Sequence, residues 1–256
     1  MSSSYFFLDT NVCIDRIFGK KSILQKLKSA DLLYTSTYVV GEFIRTIVSD
    51  CCVLHSIVLE EDNLNDVYRR ISVMTESGER NKVRKGQRYN LLLRSLGYPG
   101  KPNKEKALIN LSMYIRFSLI PSFVSGLTII ESKTKCELVS YKPKRYDGHF
   151  KINIPCVENS GIDQCSLSNL ICKSVNILKS ISNELESESE SYYIELRRVI
   201  ENHLDHSELV TTYDECKIFG DVIVTADCPN DCTTVSRDHH LEKICDIAGQ
   251  SFMILD

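Results

Sequence analysis

A short apolar run near the start of the chain, followed at once by an acid, limits the fold most strongly. Residues 4–8 read Ser-Tyr-Phe-Phe-Leu, and Asp9 comes next. Four apolar or aromatic residues in a row predict a strand of a parallel sheet, because helices cover such strands on both faces. A helix is then predicted over residues 12–18, with Gly19 as its stop. The start of the chain therefore indicates an α/β fold.

The same alternation of strand and helix recurs at both ends of the chain. It predicts a three-layer α/β/α fold around a central parallel sheet, with residues 4–8 and 232–236 as neighbouring strands. The further predicted strands are residues 32–35 and 251–255, and the further predicted helices are residues 21–29, 37–47 and 240–248.

The middle of the chain has a different pattern. Its apolar spacing is mainly helical over residues 60–96, 103–130, 163–185 and 190–204. Alternation over residues 136–156 predicts a β-hairpin. We therefore expect a discontinuous core from residues 1–58 and 206–256. Residues 59–205 are predicted to form a mostly helical insertion or cap, part of which completes the core.

Composition indicates an ordinary globular protein. Apolar residues make up 43% of the 256, charged residues 25%, and the net charge is −3. No signal-peptide pattern precedes the first strand, and no stretch reaches about 18 consecutive apolar residues. The 11 cysteines have no regular spacing. These features predict a cytoplasmic protein with reduced thiols and no membrane partner.

Four acids fall where predicted strands end or predicted helices begin. They are Asp9, Glu42, Asp221 and Asp238. In open α/β sheets the ligand crevice lies at the carboxyl ends of the strands, so one sheet would bring all four to the same edge. Clustered carboxylates repel each other, and a divalent cation relieves that repulsion. Oxygen ligands favour Mg²⁺ or Mn²⁺, as one or two ions.

Four segments together resemble the PIN-domain nuclease family. The order Asp, Glu, Asp, Asp and the strand–helix setting of each acid are similar to that family's metal site. The resemblance implies a PIN-like fold and a cytoplasmic Mg²⁺- or Mn²⁺-dependent endoribonuclease, often a toxin with an antitoxin partner. It also implies supporting roles for Asn11 and Ser236. The segments are Phe6–Asp15, Thr35–Phe43, Gly220–Val224 and Val235–Leu241.

Several alternatives remain open at this level. Asp9, Asp221 and Asp238 could each simply cap a helix, and Glu42 could be a solvated helix residue. The stretch between Glu42 and Asp221 is much longer than in compact toxins of the family. Three other acids lie near the third position: Asp214, Asp227 and Asp231.

Basic residues concentrate in one part of the middle segment. Between Arg80 and Lys106 there are nine basic residues and one acid, with Tyr89 and Tyr98 among them. Such a run could bind RNA phosphates while the tyrosines stack on bases. It could equally be the solvated face of an amphipathic helix. The candidate nucleic-acid-binding residues are Arg80, Lys82, Arg84, Lys85, Arg88 and Arg94.

The functional expectation is a nuclease that cleaves RNA phosphodiester bonds with metal-activated water, as a toxin or defence effector. One alternative is a non-catalytic PIN-fold protein that binds RNA or protein. A haloacid-dehalogenase-like phosphatase also starts from an acid at a strand end. Its chemistry requires a second Asp two residues on, where this chain has Asn11. RNA, an antitoxin or other regulatory protein, and a second copy of the chain are the expected partners.

Overall fold

The computed structural model describes residues 4–95, 103–154, 156, 166–206 and 212–255. The chain divides into two compact units. The first unit contains Met1–Glu42, Val124–Ser140 and Ile154–Asp256, and the second contains Phe43–Phe123 and Tyr141–Asn153.

The first unit is built on a five-stranded parallel sheet. In chain order its strands are β1 (Tyr5–Leu8), β2 (Leu32–Ser36), β3 (Thr128–Ile130), β6 (Cys232–Ser236) and β7 (Phe252–Ile254). Their spatial order is β3-β2-β1-β6-β7, and every pairing is parallel. β1 and β6 are neighbours, as the sequence predicts, with Tyr5 opposite Cys232 and Leu8 opposite Val235.

Helices pack against this sheet, which is consistent with a three-layer α/β/α arrangement. β1 is central because it is apolar on both faces, and Phe7 and Leu8 are fully buried. The helices of this unit are α1 (Thr10–Ile17), α2 (Lys21–Leu27), α3 (Thr37–Phe43, which runs into the second unit), α9 (Leu167–Lys173), α10 (Val175–Glu184), α11 (Ser191–Asp205), α12 (Tyr213–Ile218), α13 (Gly220–Asp227) and α14 (His239–Ile247).

The second unit is a helical cluster with one small hairpin. α5 and α6 pack closely at Gly86, where a Cβ atom would come within 2.7 Å of the Thr75 Cγ2 atom. Its helices are α4 (Ser49–Glu60), α5 (Leu64–Thr75), α6 (Arg80–Ser95), α7 (Lys104–Met113) and α8 (Leu119–Val124), with π-helical turns at Ile44–Val48 and Tyr114–Ser118; its strands are β4 (Lys144–Tyr146) and β5 (His149–Lys151).

The core of the second unit is partly aromatic. The Phe43 and Phe123 rings stack with centroids 3.9 Å apart. The edge of the His55 ring contacts Phe150, with centroids 4.9 Å apart. Tyr89 on α6 is fully buried in this core. The hairpin is therefore fixed to α4 by side-chain packing, which a two-stranded hairpin requires for stability.

One continuous helical segment, Lys104–Val124, meets the length and composition expected of a membrane span. It is the one such segment in the described part of the chain. Of its most apolar stretch of 18 residues, 28% is buried in the structure. A single candidate of this kind is weak evidence for a membrane span and is consistent with a soluble protein.

Three expectations from the sequence differ from the structure. Residues 103–130 are not wholly helical, because Thr128–Ile130 forms the edge strand β3. The hairpin is shorter than residues 136–156: Glu137–Ser140 is a 3₁₀ turn, and the strands cover only Lys144–Tyr146 and His149–Lys151. Residues 43–58 of the predicted core belong to the second unit, while residues 124–140 and 154–205 are the part of the predicted insertion that belongs to the first unit.

Candidate active site

Asp9 lies where β1 passes into α1, and it is held by several donors. Its Oδ1 atom accepts the Thr10 backbone N–H at 2.6 Å. Its Oδ2 atom accepts the Asn11 amide at 2.6 Å and the Ser236 hydroxyl at 2.8 Å. Asp9 is only 8% exposed. Asn11 and Ser236, to which the resemblance gave supporting roles, therefore contact this carboxylate directly.

Glu42 is connected to the same motif through Thr10. The Thr10 hydroxyl donates to the Glu42 Oε2 atom at 2.5 Å. Gly41 explains how α3 reaches this position, since a Cβ atom there would lie 2.8 Å from the Cys136 sulfur. The Gly-Glu pair thus lets the helix approach residues 136–138 closely while presenting its carboxylate to the end of β1.

Asp238 lies just beyond β6 and caps α14. Its Oδ1 atom accepts the His240 backbone N–H at 2.9 Å and lies 3.1 Å from the His240 Nδ1 atom. Its own backbone N–H donates to the Ser236 hydroxyl at 3.0 Å. Asp9 likewise caps α1. Both acids therefore perform the simple capping role, and this role is compatible with a second one, because a carboxylate has lone pairs for several partners.

Asp221 lies in the first turn of α13 and does not cap it. The N-cap residue is Phe219, which makes no side-chain capping bond. The Asp221 Oδ2 atom instead accepts the Tyr192 hydroxyl at 2.5 Å. The explanation of Asp221 as a helix cap is therefore wrong for this structure, and the carboxylate is placed by a contact from α11.

The charges of these acids act on one another. Burial raises the pKa of Asp9 to about 8, with further contributions from the Glu42 and Asp221 carboxylates. Burial also raises the pKa of Asp221 to about 7; the Tyr192 hydrogen bond opposes this shift, while Asp238 and Glu42 add to it. We call these four residues, Asp9, Glu42, Asp221 and Asp238, the acidic cluster. Burial and repulsion between carboxylates therefore disfavour the ionised forms of Asp9 and Asp221.

As they are placed, the four side chains of the acidic cluster do not form a ready-made metal site. Within the described ranges of the chain, no three His, Cys, Asp or Glu side chains stand together closely enough to hold a metal ion. The donor set itself fits a hard cation, since it consists of carboxylate oxygens. Binding one ion through three of them would require some of these side chains to move.

The other three acids near the third position have separate roles. Asp227 ties α13 to the loop after β3, because its Oδ1 atom accepts the Lys133 backbone N–H at 2.8 Å. Asp214 is exposed and pairs with Lys217 at 2.5 Å. Asp231 is exposed in the turn before β6. Of these acids and Asp221, only Asp221 has a charge that contributes to the pKa shift of Asp9.

The basic helix α6 lies in the second unit, and some of its cations pair with acids of the same unit. Arg88 pairs with Asp50 at 2.6 Å, Lys85 lies 3.7 Å from the same carboxylate, and Lys82 pairs with Glu79. The exposed cations of the predicted set that form no such pair here are Arg80, Arg84 and Arg94.

The predicted stacking tyrosines need a correction. Tyr89 is fully buried, because it lies on the face of α6 that packs into the core, so it cannot stack on a base. Tyr98 lies outside the described residues. On the same helix, Leu92 is buried and Leu91 is 45% exposed.

Sequence reasoning missed three residues that contact the acidic cluster. Thr10 lies in the Phe6–Asp15 segment, and its position beside Asp9 is a usable signal. His240 lies in the Val235–Leu241 segment and at the start of a predicted helix, and neither position predicts its contact with Asp238. Tyr192 follows a Glu- and Ser-rich run, and nothing in its local sequence indicates a contact with Asp221.

Comparison with known proteins identifies no relative on which a function could be based. The chain matches no protein-family profile, no curated protein and no solved structure.

Proposed function

We propose that the chain is a Mg²⁺- or Mn²⁺-dependent nuclease that hydrolyses RNA phosphodiester bonds at the acidic cluster. One observation supports this most directly: Asp9, which is buried at the end of β1, and Asp221 both have raised pKa values, and the charges acting most strongly on Asp9 are those of other carboxylates. Such an arrangement is costly unless a cation joins it.

The donor chemistry supports the choice of metal. Asp9, Glu42, Asp221 and Asp238 would supply hard oxygen ligands, and Mg²⁺ and Mn²⁺ prefer these to nitrogen or sulfur. Such a metal, when bound, activates water and neutralises charge on phosphate oxygens. The protein's own part is to hold the acids: Thr10 orients Glu42, while Asn11 and Ser236 fix the Asp9 carboxylate.

The resemblance to PIN-domain nucleases agrees with this proposal. Two of its four segments include β1 and β6, which are adjacent in the sheet, and the Thr35–Phe43 segment spans the end of β2 and α3. RNA as the substrate, and an antitoxin or other regulatory protein as a partner, come from that resemblance and belong to the proposal. The exposed arginines of α6 are a candidate RNA contact of the second unit.

The phosphatase alternative receives no support from the local chemistry. That reaction requires an acid two residues after the nucleophilic Asp, to act on the leaving group. Here Asn11 holds the position and donates its amide to the Asp9 Oδ2 atom at 2.6 Å. A bound amide of this kind orients Asp9 as a ligand and supplies no proton for a leaving group.

The test is cleavage of a mixed-sequence RNA pool with Mn²⁺, with EDTA in place of Mn²⁺, and by the Asp9→Asn variant. Removing one ligand charge should lower cleavage by about three orders of magnitude, while the fold and RNA binding are retained. Asp214→Asn is the matched control, because Asp214 is an exposed acid paired with Lys217. It should retain full activity. A parallel pool of single-stranded DNA defines the substrate class.

Undiminished cleavage in EDTA, or full activity of Asp9→Asn, would contradict the proposal. RNA binding without cleavage by the wild-type protein in Mn²⁺ would favour the non-catalytic alternative instead.

A further inference from the structure

Tyr192 reaches the acidic cluster from the middle of the chain. It is the second residue of α11, and its hydroxyl donates to the Asp221 Oδ2 atom at 2.5 Å. A hydrogen bond of this length to a carboxylate is a strong, charge-assisted one. The contact is partly buried, because Asp221 and Tyr192 are both only partly exposed.

The Tyr192 ring is held in place by its neighbours. It lies against the His240 ring with centroids 4.4 Å apart, and the Tyr193 ring contacts the same imidazole at 5.2 Å. The imidazole is fixed at both nitrogens, since Nδ1 lies 3.1 Å from Asp238 Oδ1 and Nε2 lies 2.6 Å from Glu190 Oε1. Hydrogen bonds and one ring contact therefore connect Asp221 to Asp238 through the Tyr192 phenol and the His240 imidazole.

We infer that Tyr192 is a positioning residue for the proposed metal site and acts through the Asp221 carboxylate. The inference rests on the proposed function. A carboxylate with a free rotamer must lose side-chain entropy when it binds a cation, and a fixed hydrogen bond removes that loss in advance. The rigid phenol is suited to this role because its ring is packed on His240.

The hydrogen bond is compatible with a metal on the same carboxylate. An ionised carboxylate offers about four lone-pair sites, and the phenol occupies one of them. A hydroxyl that donates also stabilises the ionised form, which is the form that binds a cation. These two points favour the role in which Tyr192 positions the Asp221 carboxylate over one in which it prevents that carboxylate from binding a cation.

The test measures Mn²⁺ binding by calorimetry, apart from any cleavage assay. Tyr192→Phe removes one oxygen atom and keeps the ring. It should weaken Mn²⁺ binding about 10-fold, as the loss of a partner to a ligating carboxylate does. Tyr193→Phe is the matched control, because Tyr193 is the adjacent tyrosine and packs on the same imidazole. It should bind Mn²⁺ like the wild type, and melting curves of both variants check the fold.

A double-mutant cycle with Asp221→Asn tests whether Tyr192 acts through Asp221. In the Asp221→Asn background, Tyr192→Phe should have no further effect on the Mn²⁺ dissociation constant. Wild-type affinity in Tyr192→Phe, tighter binding in that variant, or an equal loss in Tyr193→Phe would each overturn the inference. A wild-type protein that binds no Mn²⁺ would overturn the proposed function itself, so the two failures are distinguishable.

Discussion

Asp50 in the second unit and Asp9 in the first unit are both buried acids, but their surroundings are opposite. Asp50 is 4% exposed and is paired with Arg88 at 2.6 Å, with Lys85 also nearby. Asp9 is 8% exposed, and the charges that act most strongly on it are the Glu42 and Asp221 carboxylates. A buried charge normally requires a partner of opposite sign. Asp50 has its partner within the chain, whereas the described residues around Asp9 provide hydrogen-bond donors and other acids.

This difference separates a structural acid from one that is available to a ligand. The ion pair between Asp50 and Arg88 joins α4 to α6, so the charge of Asp50 is neutralised within the chain. The acidic cluster is assembled from four segments far apart in sequence, and each segment adds negative charge to the same edge of the sheet. Helix capping explains the positions of Asp9 and Asp238, but it does not explain why other carboxylates lie near the buried Asp9, and the proposed cation would relieve that repulsion.

The largest expected effect is a difference in stability between two matched substitutions. In EDTA at pH 8, Asp50→Asn should lower the free energy of unfolding by about 1.5–3 kcal/mol, because it removes a charged hydrogen bond to Arg88. Asp9→Asn should cost clearly less, because removing one of several repelling carboxylates offsets the loss of one acceptor oxygen for Thr10, Asn11 or Ser236. Thermal melts of both variants against wild type measure the difference.

Mn²⁺ sharpens this comparison. At about 100 times its dissociation constant, a bound ion adds about 2.7 kcal/mol to the free energy of unfolding. Wild type and Asp50→Asn should both show this gain, and Asp9→Asn should not. Equal destabilisation by the two substitutions in EDTA would mean that Asp9 is simply another structural acid.

The next effect is the pH dependence of stability without metal. The folded-state pKa values are about 8 for Asp9 and about 7 for Asp221, whereas the ordinary pKa of an aspartate is 3.8. Between these limits the folded protein holds protons that the unfolded chain has released. Stability from these groups is therefore full below about pH 4 and is lost as the pH rises through 7 to 8.

Two histidines also titrate and act in opposite directions. Burial lowers the pKa of His55 from 6.5 to about 4, so its contribution to stability grows as the pH rises to about 6.5. Burial opposes protonation of His240, but Glu190, Asp238 and Asp221 outweigh it and raise its pKa, so its contribution fades as the pH rises. Melting temperatures in EDTA at pH 7, 7.5 and 8, above the ordinary pKa of His55, should therefore fall, and the slope should be shallower for Asp9→Asn. A melting temperature that rises with pH in this range would show that the acids of the cluster do not repel one another in the folded state.

The sequence predicts the sheet well where its strands are flanked by clear signals. β1, β2, β6 and β7 are all apparent from apolar runs that end in polar or turn residues. β3 is missed because three residues are too few to show a period of two, and they follow a long helical pattern. The acids at strand ends are predictable because position within an α/β unit fixes the edge at which they lie.

Contacts that depend on tertiary packing are not predicted by the local sequence. The hydrogen bond from Tyr192 to Asp221 joins residues 29 apart on different helices, and no local pattern encodes it. The burial of Tyr89 is similarly hidden, because the surrounding cations make its helix look uniformly polar. The face of a helix that meets its neighbour is decided by packing, and composition does not reveal it.

The smallest expected effect concerns Asp227, the buried acid closest in sequence to Asp221 among the alternatives. Burial raises the pKa of Asp227, and its backbone hydrogen bond with Lys133 opposes the shift. In Asp227→Asn the amide oxygen can still accept that N–H, which lies 2.8 Å from Oδ1 in the wild type. The cost in unfolding free energy should therefore be below about 1 kcal/mol, and Mn²⁺ affinity should not change.

Asp221→Asn, as the paired variant, should weaken Mn²⁺ binding by at least about 10-fold. Calorimetric titration of both variants decides between the two acids. Loss of Mn²⁺ binding in Asp227→Asn with normal binding in Asp221→Asn would show that the third metal ligand is Asp227, at the end of α13. Asp227 would then be a second buried acid whose surroundings contrast with those of Asp50.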